Sequence, residues 1–307
     1  MFKWKVKKSE HGMSLENFIY KYLGEWSHGK VKAAIDGKKA FVNGRNIFIS
    51  KWNVKAGDTI TFVADAQPKA AAAAATSARY KFIEVLFEDK YIIAANKPPF
   101  VDHEQFALTV QHYLKRQNRG EALPYLGQMH RLDKETSGVM VFTKKKMANT
   151  LADQFRERSM QKQYLALVRG EINLEVGRIG KPLEKGIFEG GKKVRVNAAS
   201  PTSKSANTEF RVMERYRGYS LLKVIIKTGR THQIRVHMAD MGHPIVGDKV
   251  YGDLPTDTNP LVKGMRRQAL HAEQLAFYHP VTNKKMKVNA PIPEDMGKLI
   301  ASLREAV

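Results

Sequence analysis

The segment His130-Arg131-Leu132-Asp133-Lys134-Glu135-Thr136-Ser137-Gly138 runs directly into Val139, Met140, Val141 and Phe142 and concentrates reactive side chains ahead of a strand-like run. An aspartate in such a place ordinarily caps a turn, because its carboxylate bonds to backbone two residues on. The chain has no cysteine, which removes thiolate nucleophiles, disulfides and Cys-type zinc sites together. Its chemistry must therefore come from carboxylates, hydroxyls, imidazoles or other bases. A glycosidase would pair one carboxyl as acid with another as nucleophile, and Glu135 is the only obvious rival to Asp133. His232 and His237 with Asp248 are the nearest approach to a metal set, but their spacing lacks the HExxH pattern and no further ligand set stands out, so no metal is expected. Gly177, Gly180, Gly190 and Gly191 build neither GxxxxGK followed by Ser or Thr nor GxGxxG after a strand, which disfavours nucleotide and methyl-donor binding and with them a methyltransferase. No cofactor is expected.

These residues need a scaffold, and 307 residues with a hydrophobic fraction of 43% suffice for a large enzyme domain plus a small module. The formal charge of +22 repels itself unless something anionic binds, and nucleic acid is the first choice. No long apolar stretch of membrane-spanning length occurs, and Met1 to Lys8 alternates charge with bulk instead of forming a signal-peptide core. A cytoplasmic, monomeric protein without membrane partners is expected.

Residues 66–79, with Pro68 and unbroken alanine from Ala70 to Ala75, read as an Ala-rich linker that has no apolar stripe to dock it. It separates a module of residues 1–65 from a domain of residues 80–307. In the module, Ser14 opens a helical pattern with Leu15, Phe18, Ile19 and Leu23, and a second helix runs from Ser27 through Val31 and Ile35. Asn43-Gly44 predicts a hairpin, and Gly57-Asp58 precedes a strand over Thr59 to Val63. Residues 1–64 carry 12 basic against 5 acidic side chains, a balance of +7. Beyond the linker, strands are expected near Val85, at Ile92 and Ile93 before Asn96-Lys97-Pro98, over Gly138 to Thr143, around Tyr164 to Val168 and over Leu221 to Lys227. Helices are expected through Met147, Leu151 and Phe155 and over Met296 to Leu303. Without a regular βαβ rhythm the domain is α+β.

His130 to Val139, "HRLDKETSGV", resembles the "HRLDxxTSG" signature of the RluA family of RNA pseudouridine synthases. The resemblance extends to "NKP" at Asn96 to Pro98, "KQYLALVRG" at Lys162 to Gly170, "TGRTHQIRVHMADMGHPIVGDKVYG" at Thr228 to Gly252 and "LHAEQLAFYHP" at Leu270 to Pro280, so it covers residues 81–293. The helix pair, "VNG" turn and "AGDTI" strand of the amino-terminal module resemble the RNA-binding domain named after ribosomal protein S-four. The likeness implies the pseudouridine synthase fold, a mixed and largely antiparallel central sheet with flanking helices, plus a small α/β RNA-binding domain. It implies isomerisation of uridine to pseudouridine in RNA, with large-subunit (23S) ribosomal RNA preferred over transfer RNA. A catalytically silent RNA-binding or ribosome-assembly protein is the alternative, disfavoured because the reactive set is intact.

By the same resemblance Asp133 is the nucleophile, whether by covalent attack or by promoting glycal formation. Tyr164 stacks on the flipped uracil with its phenol near the proton-transfer position. Arg235 pairs with Asp133 and keeps it ionised and aimed, although Arg230 competes for that place or contacts phosphate. Ile234 forms an apolar wall, Arg131 faces the RNA, His130 holds the loop, and Lys162 precedes Tyr164. The clusters Lys144 to Lys146, Lys192 to Arg195, Arg266-Arg267 and Lys284 to Lys287 are expected to supply phosphate contacts.

Overall fold

The computed structural model describes residues 1–23, 26, 28–63, 83–118, 123–146, 150–188, 191–252 and 259–306. The chain divides into two compact units, Met1–Lys81 and Phe82–Val307. The expected linker at 66–79 lies outside the described residues.

In the first unit a four-stranded antiparallel sheet runs β1 (Phe2–Lys5), β4 (Thr59–Phe62), β2 (Ala40–Val42), β3 (Arg45–Asn46). Asn43 and Gly44 both take positive φ, 50° and 81°, which matches the twist of a two-residue hairpin. The Asn43 carboxamide locks the turn, donating to Asp58 Oδ1 and accepting from the Thr59 N–H, each at 2.8 Å. Helix α1 (Leu15–Tyr22) is capped by Ser14, whose hydroxyl accepts from the Asn17 N–H. With α2 (His28–Asp36) it buries Leu15, Phe18, Ile19, Val31 and Ile35 against Ile60 and Phe62, a core of the unit's own. Strand β1 is an addition to the sequence reading.

The second unit is built on one ten-stranded sheet. Its path is β10 (Val176–Ile179), β13 (Thr208–Tyr216), β14 (Tyr219–Ile226), β9 (Gln161–Arg169), β15 (Leu270–Tyr278), β8 (Ser137–Thr143), β6 (Ile92–Lys97) and β5 (Glu84–Glu88). Two further strands, β7 (Gly127–Gln128) and β16 (Lys285–Asn289), pair with β8 and β15. The β8 run is buried at all seven positions, as a strand covered on both faces requires. On β13, alternating burial marks a strand covered on one face. Every pairing in the sheet is antiparallel except β15 with β8.

That parallel contact is short, His271 with Ser137 and Ala272 with Gly138. Beyond it β15 pairs with β16 instead, so β15 forks between β8 and β16 while β9 holds its other edge. Gly138 makes the crossing possible: its φ is +120°, and a Cβ there would lie 2.2 Å from the Ala272 carbonyl oxygen. Only glycine tolerates that backbone and that approach.

Helices α3 (His103–Asn118), α4 (Thr150–Arg156), α5 (Gln233–Asp240), α6 (Pro260–Lys263) and α7 (Glu294–Glu305) complete the unit. Leu151 of α4 packs with Ile92, Val139, Val141, Leu275 and Phe277. A separate antiparallel hairpin, β11 (Leu183–Phe188) with β12 (Gly191–Val196), brings Leu183 and Val194 against Val236 of α5. The unit is therefore α+β with a mostly antiparallel sheet. Helices α3, α5 and α6 and strands β7, β10, β11, β12, β13, β15 and β16 go beyond the elements expected from sequence, β14 begins two residues before the expected Leu221, and Met147 of the expected helix lies outside the described residues.

Two of the expected phosphate contacts are corrected. Arg267 has no exposed surface and is bound to Asp295 and to three backbone carbonyls. Lys144 is half-buried and holds Glu88 at 2.7 Å and the Asp89 carbonyl oxygen. Arg267 is thus closed to RNA, and the Lys144 ammonium is already engaged by two acceptors.

Candidate active site

A cleft of about 490 Å³ opens in the second unit, and Arg131, Asp133, Lys162, Tyr164, Arg230, Ile234, Arg235 and His130 all line it. The eight residues come from three places: the loop ahead of β8, the start of β9, and the turn that leads into α5 with the first residues of that helix. That turn is folded by Gln233, whose Oε1 accepts from the Thr228 hydroxyl at 2.7 Å and the Arg230 N–H at 3.1 Å, while its Nε2 donates to the Asn207 carbonyl at 2.8 Å. His232, at the mouth of α5, takes a left-handed φ of 55°.

The pairing left open between two arginines resolves geometrically. Arg235 donates Nη1 to Asp133 Oδ2 at 3.0 Å, whereas Arg230 donates Nε to the Ser205 carbonyl at 3.1 Å. Arg235 is itself gripped by Asp248, Nε to Oδ2 at 2.6 Å and Nη2 to Oδ1 at 2.8 Å. This is a bidentate fork, which fixes direction as well as distance. Asp248 has no exposed surface and also accepts from the Val250 and Tyr251 N–H groups. Burial works against charge on Arg235, but hydrogen bonding to Asp248 and the charges of Asp248 and Asp133 raise its pKa overall. The guanidinium also lies 5.1 Å from the Tyr251 ring centre, a cation–π contact.

The loop that carries Asp133 is held at each successive residue by a different side chain. Lys97 Nζ donates to the Lys134 carbonyl at 3.1 Å, Arg267 Nη1 to the Glu135 carbonyl at 3.1 Å, and Gln268 Nε2 to Thr136 Oγ1 at 3.1 Å. Ser137 Oγ lies 2.9 Å from His271 Nδ1. Lys97 is fully buried, and desolvation with the nearby Arg267 charge pulls its pKa down to about 7 against the opposing pull of Asp102 and Asp133. Such a site holds its geometry through packing and outer hydrogen bonds rather than through the reactive group itself.

Tyr164 is buried, and desolvation, with the Asp133 charge adding, lifts its phenol well above the usual value. It stays protonated at any working pH. His130 is kept neutral, with a pKa of about 3 caused by burial and then by Lys162 and His103. Its Nε2 accepts the Val141 N–H at 3.0 Å, and its ring stacks on Phe155 at 4.8 Å. It thus extends the β7 ladder along β8 and anchors the loop. Lys162 lies 5.4 Å from the Phe155 ring centre and is lowered in pKa by burial and by Arg158 and Arg230. Arg131 is exposed, and Ile234 is an apolar wall, 4% exposed.

Glu135, the rival carboxylate, is not among the cleft-lining residues; its Oε1 faces Lys249 at 3.3 Å. The residues weighed as metal ligands have other partners. His237 contacts Thr208 Oγ1 and the Lys181 carbonyl, His232 Nδ1 contacts the Tyr251 hydroxyl at 2.8 Å, and Asp248 holds Arg235. Sequence reasoning missed Asp248 as the anchor, and also Lys97, Arg267, Gln268 and Tyr251. Only Lys97 carried a local signal, a charged side chain closing the apolar run Ile92 to Ala95. The assembly presents one aimed carboxylate, a protonated phenol and a basic rim, which suits an anionic polymer bearing a group that must enter a cleft.

A family model described as RNA pseudouridylate synthase matches residues 91–240. The chain is 40% identical over 237 residues to the ribosomal large subunit pseudouridine synthase D of Xylella fastidiosa, covering 73% of this chain and 70% of that protein. It is 33% identical over 312 residues to the Vibrio vulnificus protein of the same name, covering 97% and 93%. Among solved structures, human RNA pseudouridylate synthase domain containing 4 aligns with a TM-score of 0.61 at 26% identity, covering 76% of this chain and 96% of that one.

Proposed function

We propose that this chain, which belongs to the RluA family of RNA pseudouridine synthases, isomerises uridine in large-subunit ribosomal RNA through the carboxylate of Asp133. The observation that carries this reading is the Asp133–Arg235–Asp248 arrangement inside the cleft. The substrate class follows the names of relatives that match nearly the whole chain; transfer RNA is the competing substrate.

The reaction breaks the bond between C1′ and uracil N1, turns the base and forms a bond from C1′ to C5. The C5 proton leaves and N1 regains one, so atoms balance without oxidant, reductant or water. The reacting bond is hidden in stacked RNA, so the uridine must be extruded. In the cleft Tyr164 and Ile234 supply apolar surface for the base, and stacking on an aromatic ring contributes roughly 1 to 3 kcal/mol. Arg235 holds the Asp133 carboxylate toward the ribose, where it either attacks C1′ or removes the C2′ proton to form a glycal. Arg131, Arg230 and Lys162 face the phosphates on either side. The amino-terminal unit, basic and with a core of its own, acts as a separate RNA anchor of the S-four type.

The test uses unmodified large-subunit ribosomal RNA and, in parallel, unmodified transfer RNA, each tritiated at uracil C5. Wild type should release tritium from the first; Asp133→Asn should bind that RNA with comparable affinity and release none. Turnover by Asp133→Asn sinks the assignment of the nucleophile, and release from transfer RNA alone overturns the substrate.

A further inference from the structure

Phe100 is an exposed aromatic in a backbone conformation that L-residues avoid. Its φ is +66° and it is 46% exposed; for a bulky residue that geometry persists only where the surroundings impose it. Here the cause is visible. The ammonium of Lys97 donates to the carbonyls of Pro98 and Val101, both at 2.9 Å, so the chain bends around Nζ and Phe100 occupies the outside of the bend. Val101, next in sequence, is buried at 1% exposure.

The same ammonium donates to the Lys134 carbonyl, one residue from Asp133. Phe100 is therefore referenced to the catalytic loop through one nitrogen atom. Asp102 lies 3.9 Å from Lys134 Nζ, and the Arg131 guanidinium is near enough to His103 to help lower its pKa after burial. Residues 98–103 thus run alongside the cleft. Phe100 does not line it, so the base that enters is not the one this ring meets. The other positive-φ residues other than glycine, Lys38, Asn43, Arg158, His232 and Asn283, all lie in connections between elements, and two of them, Arg158 and His232, also line the cleft. Strain gathered around a site is a mark of function.

We infer that Phe100 is a stacking platform for an unpaired nucleotide that flanks the target uridine in the bound RNA. An exposed ring beside a cleft rimmed by Arg131, Arg158, Arg230 and Lys162 is placed to meet nucleic acid, and base stacking on such a ring is indifferent to sequence. This rests on the reading of the cleft as a uridine-isomerising site.

Three full-length variants test it on tritiated, unmodified large-subunit ribosomal RNA. Phe100→Gly removes the ring and relieves the backbone, so its Tm should be no lower than wild type while KM rises roughly 5- to 100-fold and kcat changes little. Phe100→Ala should show the same KM without the relief. Phe100→Tyr should restore KM. A Phe100→Gly protein with wild-type KM overturns the inference, and so does a Phe100→Tyr protein as impaired as Phe100→Ala. A wild-type chain that releases no tritium from this RNA refutes the substrate reading instead, and the two failures are told apart by that control.

Discussion

Asp133 and Asp248 hold one guanidinium from two sides: Arg235 gives Nη1 to the first and both Nε and Nη2 to the second. On the function proposed above the partly buried Asp133 carboxylate is the reactive one, and the fully buried Asp248 carboxylate determines where the guanidinium points. Asp248 is therefore a positioning residue, and its influence on the reaction passes through Arg235.

Asp248→Ala leaves Arg235 buried with half its partners gone, which costs about 3 to 5 kcal/mol of stability. Asp248→Asn keeps the shape and one acceptor. It should fold, bind RNA with near-normal KM and lose kcat, because aim and not affinity has been removed. Steady-state kinetics beside thermal melts separate the two; an Asp248→Asn enzyme with unchanged kcat would show that Asp133 is aimed by other means.

Tyr164→Phe keeps the ring and removes the phenol that burial holds protonated. If the phenol moves a proton, tritium release falls steeply at unchanged RNA affinity; if stacking is its main contribution, the rate persists. Tyr164→Ala removes both. A wild-type rate for Tyr164→Ala means that another aromatic faces the uracil.

Gly138→Ala places a Cβ 2.2 Å from the Ala272 carbonyl oxygen at a φ of +120°. The crossing of β8 and β15 must then shift, and Tm should fall by roughly 4 to 8 °C, the effect of about 2 kcal/mol in a domain of this size. Activity should fall further than stability, since Ser137 and Thr136 lead straight back to Asp133. A calorimetric Tm equal to wild type would mean that the crossing is looser than the geometry describes.

Lys97 has a folded-state pKa of about 7 against an ordinary 10.5. Between those values the unfolded chain holds more protons than the folded one at this site, so the site's contribution to stability rises with pH across that window and is at its lowest below it. Relative to Lys97→Met, which cannot titrate, wild type should gain stability as pH climbs from 7 toward 10. Urea titrations of both proteins across this range supply the comparison, and a gap independent of pH contradicts the buried, shifted lysine.

Removing residues 1–79 should leave a folded catalytic unit that still isomerises saturating RNA but binds structured RNA less tightly. Each lost phosphate contact reduces the slope of log affinity against log salt by about 0.7 to 0.9. Unchanged affinity and slope would assign the amino-terminal unit to packing or to a protein partner.

How much of this was legible depends on whether the signal was contiguous. Asp133 stands in a ten-residue signature, and its seven companions fell in short motifs that the fold gathers into one cleft. Sequence shows Asp248 as an acid near two histidines and Arg235 as a partner of Asp133 but not their pairing with each other, because the fork spans a turn whose shape sequence does not print. Arg267 read as half of a basic pair, yet its neighbour in space is Asp295 of α7. Helix α3 was readable in principle: Phe106, Val110 and Leu114 recur at four-residue spacing and are its buried face.

Apart from Lys97, the partners that hold the Asp133 loop lie far along the chain, Arg235 at a separation of 102 residues, Arg267 and Gln268 at 132, and His271 at 134. On a ribosome adding about 5 to 20 residues per second, the loop would wait roughly 7 to 27 s for its last restraint to be synthesised. Contacts of such separation also form late and slowly, because the intervening chain must be closed before they stabilise anything. The carboxylate therefore lacks Arg235 and the restraints that follow it until the chain has been made past His271. An enzyme of ribosomal RNA built in this way does not act while still attached to the ribosome that is making its carboxy-terminal half.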